Sequence, residues 1–376
     1  LAPEAIRAER SAFNVLAGSY APAGATGVRG FRFDPDLGEF RPVAGRDGVP
    51  FPAYLARSAA TGWYYAVSET TAQPVPGPGT SPAQTGQPGT IWVLGPEPAS
   101  SAPCVPARAL ATGGDLPTHI AAHPSGHWLS VSNYGSHPSS GSVSIVRLHR
   151  DGSLAEVADR HAHAGHGPVV SRQDCAHVHS TAFNSAGDRL VAADLGADAL
   201  VVYDFDARDG RLSAVSAART PPGWGPRYML WGPGDHTLLV VGELASEIGV
   251  FAFDGDMIEL IRHVPTVSRP RDGVLPADLR FSPGGRRIYV SNRGAVNSIA
   301  TFDSTRPERI ELIGEAPSGG VWPRHLAVTP DGRYLVVANE HSGRLTALAI
   351  DSEGAAAAPL ISAEMPGVSY VEVEAA

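Results

Sequence analysis

Short apolar runs separated by turns rich in Gly, Pro and Asp dominate this chain, and the runs alternate with period two where they alternate at all. Pro323 to Ile350, PRHLAVTPDGRYLVVANEHSGRLTALAI, shows the unit most clearly. An apolar strand leads into a Pro-Asp-Gly turn, a second apolar strand ends in Asn-Glu, and a polar loop precedes a third, alternating strand, which predicts three consecutive antiparallel strands. The same frame opens at Pro276 (PADLRFSPGGRRIYVSNRGAVNSIATF) and at Pro226 (PRYMLWGPGDHTLLVVGELASEIGVFAF), without gaps through the second strand. With longer loops it also opens at Pro117, at Pro52 and at Val178, which makes six units. The starts at Pro226, Pro276 and Pro323 lie 50 and 47 residues apart, room for four short strands, and fourth strands are expected over Met257 to His263 and Ile310 to Gly314.

The two ends complete a seventh unit. FNVLAGSY (Phe13 to Tyr20), Gly27 to Asp34 and Phe40 to Val43 read as second, third and fourth strands without a first, and the alternating GVSYVEV (Gly367 to Val373) supplies a lone strand. Pairing the two closes a ring and protects both edges. The predicted fold is all-β: a seven-bladed β-propeller of four-stranded antiparallel blades over residues 13–374 as a single domain, preceded by an N-terminal arm at 1–12. A Pro/Gly-rich insertion, Gln73 to Thr90, is too irregular for a sheet interior and is read as a surface loop.

Composition agrees and narrows the partners. Of 376 residues, 42 are Gly and 33 Pro, as many tight turns require. The formal charge of −9 comes with no basic stripe able to grip a phosphate backbone, so no nucleic acid is expected. No apolar segment approaches the roughly 20 residues of a membrane span, so no membrane partner is expected either. The protein is expected to be cytoplasmic, as a monomer or weak homo-oligomer. The two cysteines, Cys104 and Cys175, show no CxxC spacing; a single disulfide is neither prompted nor excluded, and no metal is expected. No Walker loop or GxGxxG opens a helix, so no cofactor is expected.

Candidate chemistry gathers at one end of the ring. First strands line a propeller's channel, and the ends of second strands lie at the same end as the starts of first strands. The residue after each unit opening is Ala53, Thr118, His179, Arg227, Ala277 or Arg324; the residue ending each second strand is Glu69, Tyr134, Leu195, Glu243, Arg293 or Glu340. Core positions would be small or apolar. Instead His179, Arg227, Glu243, Arg293 and Arg324 converge, and three guanidiniums around one or two carboxylates call for an anionic ligand, because Arg forks match carboxylate and phosphate. The stretch Gly165 to Ser180, GHGPVVSRQDCAHVHS, feeds His179 into that mouth, with Arg172, Gln173 and His177 beside it and His119 as a further rim group. His325, adjacent to Arg324, is expected to face the opposite side and pack between blades.

GHGPVVSRQDCAHVHS with FNSAGDRLVAADLG, the GPRYM and GE pair, PADLRFSPGGRRIYVSNRG and WPRHLAVTPDGRYLVVAN together resemble the lactonase family of seven-bladed propellers, the family of propeller-type 6-phosphogluconolactonases and carboxy-cis,cis-muconate lactonising enzymes. The likeness runs from Phe13 to Val373. It implies His179, Arg227, Glu243 and Arg293 as the catalytic group and a small anionic lactone as substrate; Arg324, His177, Arg172, Gln173 and His119, by their positions around the mouth, are the expected substrate-binding residues. Arginines flanking Glu243 lower its pKa and make it a poor base, so His179 is the expected base and Glu243 its orienter. Lactonisation of a carboxymuconate-type diacid and a non-catalytic binding role are the alternatives the residues leave open.

Overall fold

Each predicted unit becomes a four-stranded antiparallel sheet in the computed structural model, which describes residues 12–20, 26–72, 84–96, 108–136 and 139–376. Numbered from Pro52, the inner strands of blades 1 to 7 are Pro52–Arg57, Pro117–Ala122, Val178–Phe183, Pro226–Trp231, Val274–Phe281, Pro323–Val328 and Val368–Ala375. Blade 7 runs outward from Val368–Ala375 through Phe13–Ser19 and Thr26–Asp34 to Glu39–Asp47, so the two ends of the chain share one sheet. Phe13 pairs with Ala375 and Ser19 with Val368, and this closure leaves no blade with an exposed inner edge.

The hydrophobic patterns follow from position in the blade. Second strands are covered on both faces by neighbouring blades and read as unbroken apolar runs, as in Trp128–Asn133, where every residue is buried. Outermost strands keep one face in water and alternate, as in Ala356–Glu364. Seven apolar clusters fill the seven seams between blades; Ile288, Val290, Phe302, Leu239 and Val250 join blades 4 and 5, and Val15, Phe33, Val371, Ala338 and Leu345 join blades 6 and 7. Burial of each such side chain contributes about 1.5–3 kcal/mol, and this non-directional term holds the ring together.

The Gly-containing turn after the inner strand of blades 1 to 6 has a conformational demand. Gly187 sits at φ 78°, and a Cβ there would fall 2.3 Å from His123 Nε2, so the turn of blade 3 accepts no other residue. The proposed N-terminal arm falls almost entirely outside the described residues, and so does most of the Gln73 to Thr90 insertion; from the latter, Gln84–Thr85 pairs in parallel with Thr70–Thr71. No helix among the described residues is long and apolar enough to cross a membrane.

Candidate active site

Two local devices aim side chains at the channel. The first is a β-bulge near the start of the inner strand, present as a register shift in blades 1 to 6: Pro52/Tyr54, Pro117/His119, Val178/Ser180, Pro226/Met229, Pro276/Leu279 and Pro323/His325. A bulge breaks strict alternation, so two consecutive side chains can face one way. Ala53 and Tyr54, Thr118 and His119, Arg227 and Tyr228, and Arg324 and His325 all line one pocket in consecutive pairs, with His179, Asp278 and Ser369 completing a contribution from every blade. The cavity these side chains leave is small, about 20 Å³. His325 therefore lines the channel rather than packing between blades: the expected alternation fails at the bulge.

The second device precedes the inner strand. Phe51, Leu116, Gly225, Trp322 and Gly367 have φ of 45°, 52°, 64°, 68° and 67°. Their carbonyls accept the N–H of Glu69, Tyr134, Glu243, Glu340 and Tyr20 at 2.8–3.1 Å. Left-handed backbone at Phe, Leu and Trp costs on the order of 1–3 kcal/mol each, and such strain gathers at functional sites. Its result here is to hold the residue after the second strand of blades 1, 2, 4, 6 and 7 at the channel mouth. Tyr20 is thus blade 7's counterpart of Glu69, Glu243 and Glu340, a position the sequence frame left empty because that blade draws its inner strand from the far end of the chain.

Glu243, 2% exposed, is clasped by three arginines. Arg172 Nη1 lies 2.7 Å from Oε1, while Arg227 Nε and Arg293 Nη2 lie 2.8 and 2.9 Å from Oε2. Those last two nitrogens are close enough for strong attraction but off the line of a hydrogen bond, so ion pairing is satisfied while their donor capacity is not. Burial alone would raise the pKa of Glu243; Arg172, Arg293 and Arg227 outweigh it and hold the carboxyl well below the usual range. Burial pulls Arg227 and Arg293 down, opposed by Glu243 and assisted by a neighbouring guanidinium, Arg324 for Arg227 and Arg227 for Arg293. Arg293 also stacks over Trp322 at 5.1 Å, and Trp322 stacks on His341 at 4.4 Å.

Across the mouth Arg324 faces Glu69 (3.5 Å) and Glu340 (3.4 Å) and lies 4.9 Å over the ring of Tyr20, whose hydroxyl bonds Glu69. Burial raises the pKa of Glu69 despite Arg324. Between the two centres sits His179, its ring edge-on to Tyr134 at 5.6 Å and its carbonyl accepting from Thr118 at 3.1 Å. Burial first, and Arg227 second, push its pKa well below the ordinary value, so the imidazole is neutral at pH 7.

Deeper in the channel lies a polar plug that the sequence frame does not contain. Arg280 donates to Asp278 at 2.7 Å, to Tyr54 Oη at 3.2 Å and to His325 Nε2 at 2.6 Å, and its guanidinium lies 4.8 Å over Tyr228. Asp278 in turn accepts the N–H of Leu326 in the next blade at 3.0 Å. One signal was present in sequence: PADLRF carries Arg280 where PRHLAV and PRYMLW carry Ala327 and Leu230.

Of the predicted group, Arg227, Glu243, Arg293 and Arg172 meet directly, and His179, Arg324 and His119 line the pocket with Arg227. Gln173 does not reach it. Its side chain is fully buried, donating to Leu195 O and Asp198 Oδ1 and accepting from Val169 N–H at 2.8, 2.8 and 3.1 Å, so it braces the 165–176 loop instead of a ligand. His177 stacks behind Tyr134 at 4.2 Å and bonds Tyr134 O and Asp174, outside the pocket lining.

Residues 14–373 match the family described as lactonase, 7-bladed beta-propeller. The chain belongs to that family. A 6-phosphogluconolactonase of Formosa agariphila is 30% identical over 64% of this chain and 69% of its own length; one of Bacillus subtilis is 29% identical over 64% and 68%. Among solved structures, the periplasmic gluconolactonase PpgL of Pseudomonas aeruginosa superposes with a TM-score of 0.85 at 28% identity, covering 97% of this chain and 99% of that one.

Proposed function

We propose that this lactonase-family propeller hydrolyses the lactone of a sugar acid bearing an anionic group, with 6-phosphogluconolactone the first candidate. The carrying observation is the set of guanidiniums around the mouth, of which Arg227 and Arg293 are buried, Arg324 is nearly so and Arg172 is 35% exposed. Arg172, Arg227, Arg293 and Arg324 outnumber Glu69, Glu243 and Glu340, and Arg227 keeps an unaligned Nε–H at the pocket wall. Buried charge left over after pairing is costly, and an anionic substrate offsets it.

In this reading the substrate's anion docks among Arg227, Arg324 and Arg293, and the lactone carbonyl turns toward a guanidinium that stabilises the oxyanion as water adds. His179 takes the proton from that water, since its imidazole is neutral and lines the pocket, while the carboxylate of Glu243 is engaged by three arginines. Glu243 sets the spacing of the three arginines. The proton on His179 then passes to the ring oxygen as the C–O bond breaks, giving the hydroxy acid. The similarity to named 6-phosphogluconolactonases and to a gluconolactonase supports the reaction class. A cytoplasmic location belongs to the same proposal; PpgL is a periplasmic relative, and cell fractionation decides between the two compartments.

The test is a panel of phosphorylated and unphosphorylated aldonolactones assayed for acid release with a pH indicator, on the parent protein and on Arg227→Ala. Turnover of a phosphorylated lactone that collapses in the variant is the expected result. A parent protein that opens none of them overturns the proposal.

A further inference from the structure

The stretch between Gly165 and Ser180 holds a second constellation, outside the channel. Asp174, Cys175 and His177 place one ligand atom each within 4.8 Å of the others. His177 Nε2 lies 3.0 Å from Asp174 Oδ1 and 3.8 Å from Cys175 Sγ. With bond lengths of about 2.0 to 2.3 Å, a tetrahedral zinc ion sets such N···O and N···S edges at roughly 3.4 and 3.6 Å, so the three atoms already stand near the corners of a coordination sphere.

The protonation pattern of His177 adds an independent argument. Its Nδ1 faces the carbonyl oxygen of Tyr134 at 3.1 Å, and a carbonyl only accepts, so Nδ1 carries the hydrogen. In the neutral ring Nε2 is then a lone pair, and it is aimed at a carboxylate oxygen that also only accepts. Two acceptor atoms at 3.0 Å need a hydrogen or a metal ion to bridge them. The imidazole is 95% buried, since it is 5% exposed, and is fixed by the carbonyl bond, by stacking on Tyr134 and by Asp194, which accepts its backbone N–H at 2.8 Å. A backbone carbonyl on the far nitrogen is the usual support of a metal-binding histidine. The surroundings are negative as well, since the carboxylate of Asp194 is buried just behind. Gly196 permits the arrangement: a Cβ there would fall 1.9 Å from Cys175 O and 2.9 Å from His177 Cδ2.

We propose that Asp174, Cys175 and His177 form a site for a divalent, thiophilic transition-metal ion of the zinc class, with the fourth position open to water. Carboxylate, thiolate and imidazole together suit such an ion and not magnesium or calcium. Binding releases the thiol proton of Cys175 to solvent as the S–metal bond forms. The ion ties the turn at Val169 to Gln173 to the head of the blade 3 strand, and that turn carries Arg172 to Glu243. The cysteines show no CxxC spacing, so the sequence prompted no metal; the fold turns His177 away from the channel mouth, toward Asp174 and Cys175.

Reduced, chelator-treated full-length protein titrated with cobalt(II) tests this. One equivalent is expected to give a thiolate-to-cobalt charge-transfer band that zinc abolishes. Cys175→Ser should remove the band, Cys104→Ser should keep it, and Asp174→Asn, at a half-exposed position that leaves the fold intact, should weaken cobalt binding at least tenfold. Zinc should raise the melting temperature of the parent and not that of Cys175→Ser. Absence of the band in the parent, or its persistence in Cys175→Ser, overturns the site and shows that a proton occupies the gap. The readout is metal binding, so the result stands apart from whether any lactone is hydrolysed.

Discussion

Two charged centres face each other across the channel mouth with opposite stoichiometry. On one side a single carboxylate, Glu243, is held by Arg172, Arg227 and Arg293; on the other a single guanidinium, Arg324, is shared by Glu69 and Glu340 beneath the ring of Tyr20. The first centre has positive charge to spare and its carboxyl is driven acidic. The second has negative charge to spare, and its Glu69 is driven toward the neutral acid. The same two residue types are used in both, so what differs is only the count that the blades deliver. Neutral His179 sits between the two.

The sharpest way to break that comparison is at its midpoint. His179→Ala is expected to lower kcat for lactone hydrolysis by about 10²- to 10⁴-fold with an unchanged urea midpoint, read from steady-state kinetics and equilibrium unfolding. An intact kcat would move the base elsewhere. Next come the arginines. Arg227→Ala should lower kcat/KM by about 10²- to 10³-fold, because it removes transition-state stabilisation. Arg324→Ala, from the centre already neutralised by two carboxylates, should raise KM while kcat stays within about tenfold. Equal kcat losses in the two variants would erase the distinction between the centres.

Stability against pH sharpens the contrast further. The carboxyl of Glu243 titrates below its unfolded value, so its contribution is present above about pH 4.3 and is lost as pH falls through the folded pKa. Glu69 has the opposite sign: the folded state holds its proton more tightly, and stability is lost as pH rises from about 4.3 through the raised folded value. Glu243→Gln strands three arginines; it should cost about 3–5 kcal/mol at pH 7 and flatten the acid limb of the profile. Glu69→Gln should flatten the opposite limb, and urea unfolding at a series of pH values measures both. The smallest effect is expected at Trp322→Leu, which removes the indole under Arg293 and the platform for His341. A cation–π contact contributes about 0.5–2 kcal/mol, so a rise in KM of roughly two- to thirtyfold is the expected reading.

The legibility of the fold and of the site differed for a physical reason. Blades are built from short-range patterns, unbroken apolar runs for strands covered on both faces and alternation for the outer strands, so the repeat frame located the inner strands and paired Phe13–Ser19 with Val368–Ala375. The mouth was legible at two frame positions: the inner-strand bulge, which carries His179 and Arg227, and the end of the second strand, which carries Glu243 and Arg293. Where two-residue alternation was assumed through the bulge, it misplaced His325. Gln173 looked like a rim group because a polar side chain in a polar loop carries no mark of burial; its amide is consumed by Leu195, Asp198 and Val169.

By itself the sequence determined seven units, the swap that closes the ring and the charged positions at one end of it, because each is set by neighbours within a strand or a turn. Only the closed ring decided which charges meet. Tyr20 with Glu69, Arg280 with Asp278 and Tyr54, and Arg172 with Glu243 are separated by 49, 2, 226 and 71 residues in sequence, and only closure of the channel gathers all of them around one axis. Their protonation states follow from that gathering, since burial and neighbouring charge, not residue type, set Glu243 acidic, Glu69 protonatable and His179 neutral.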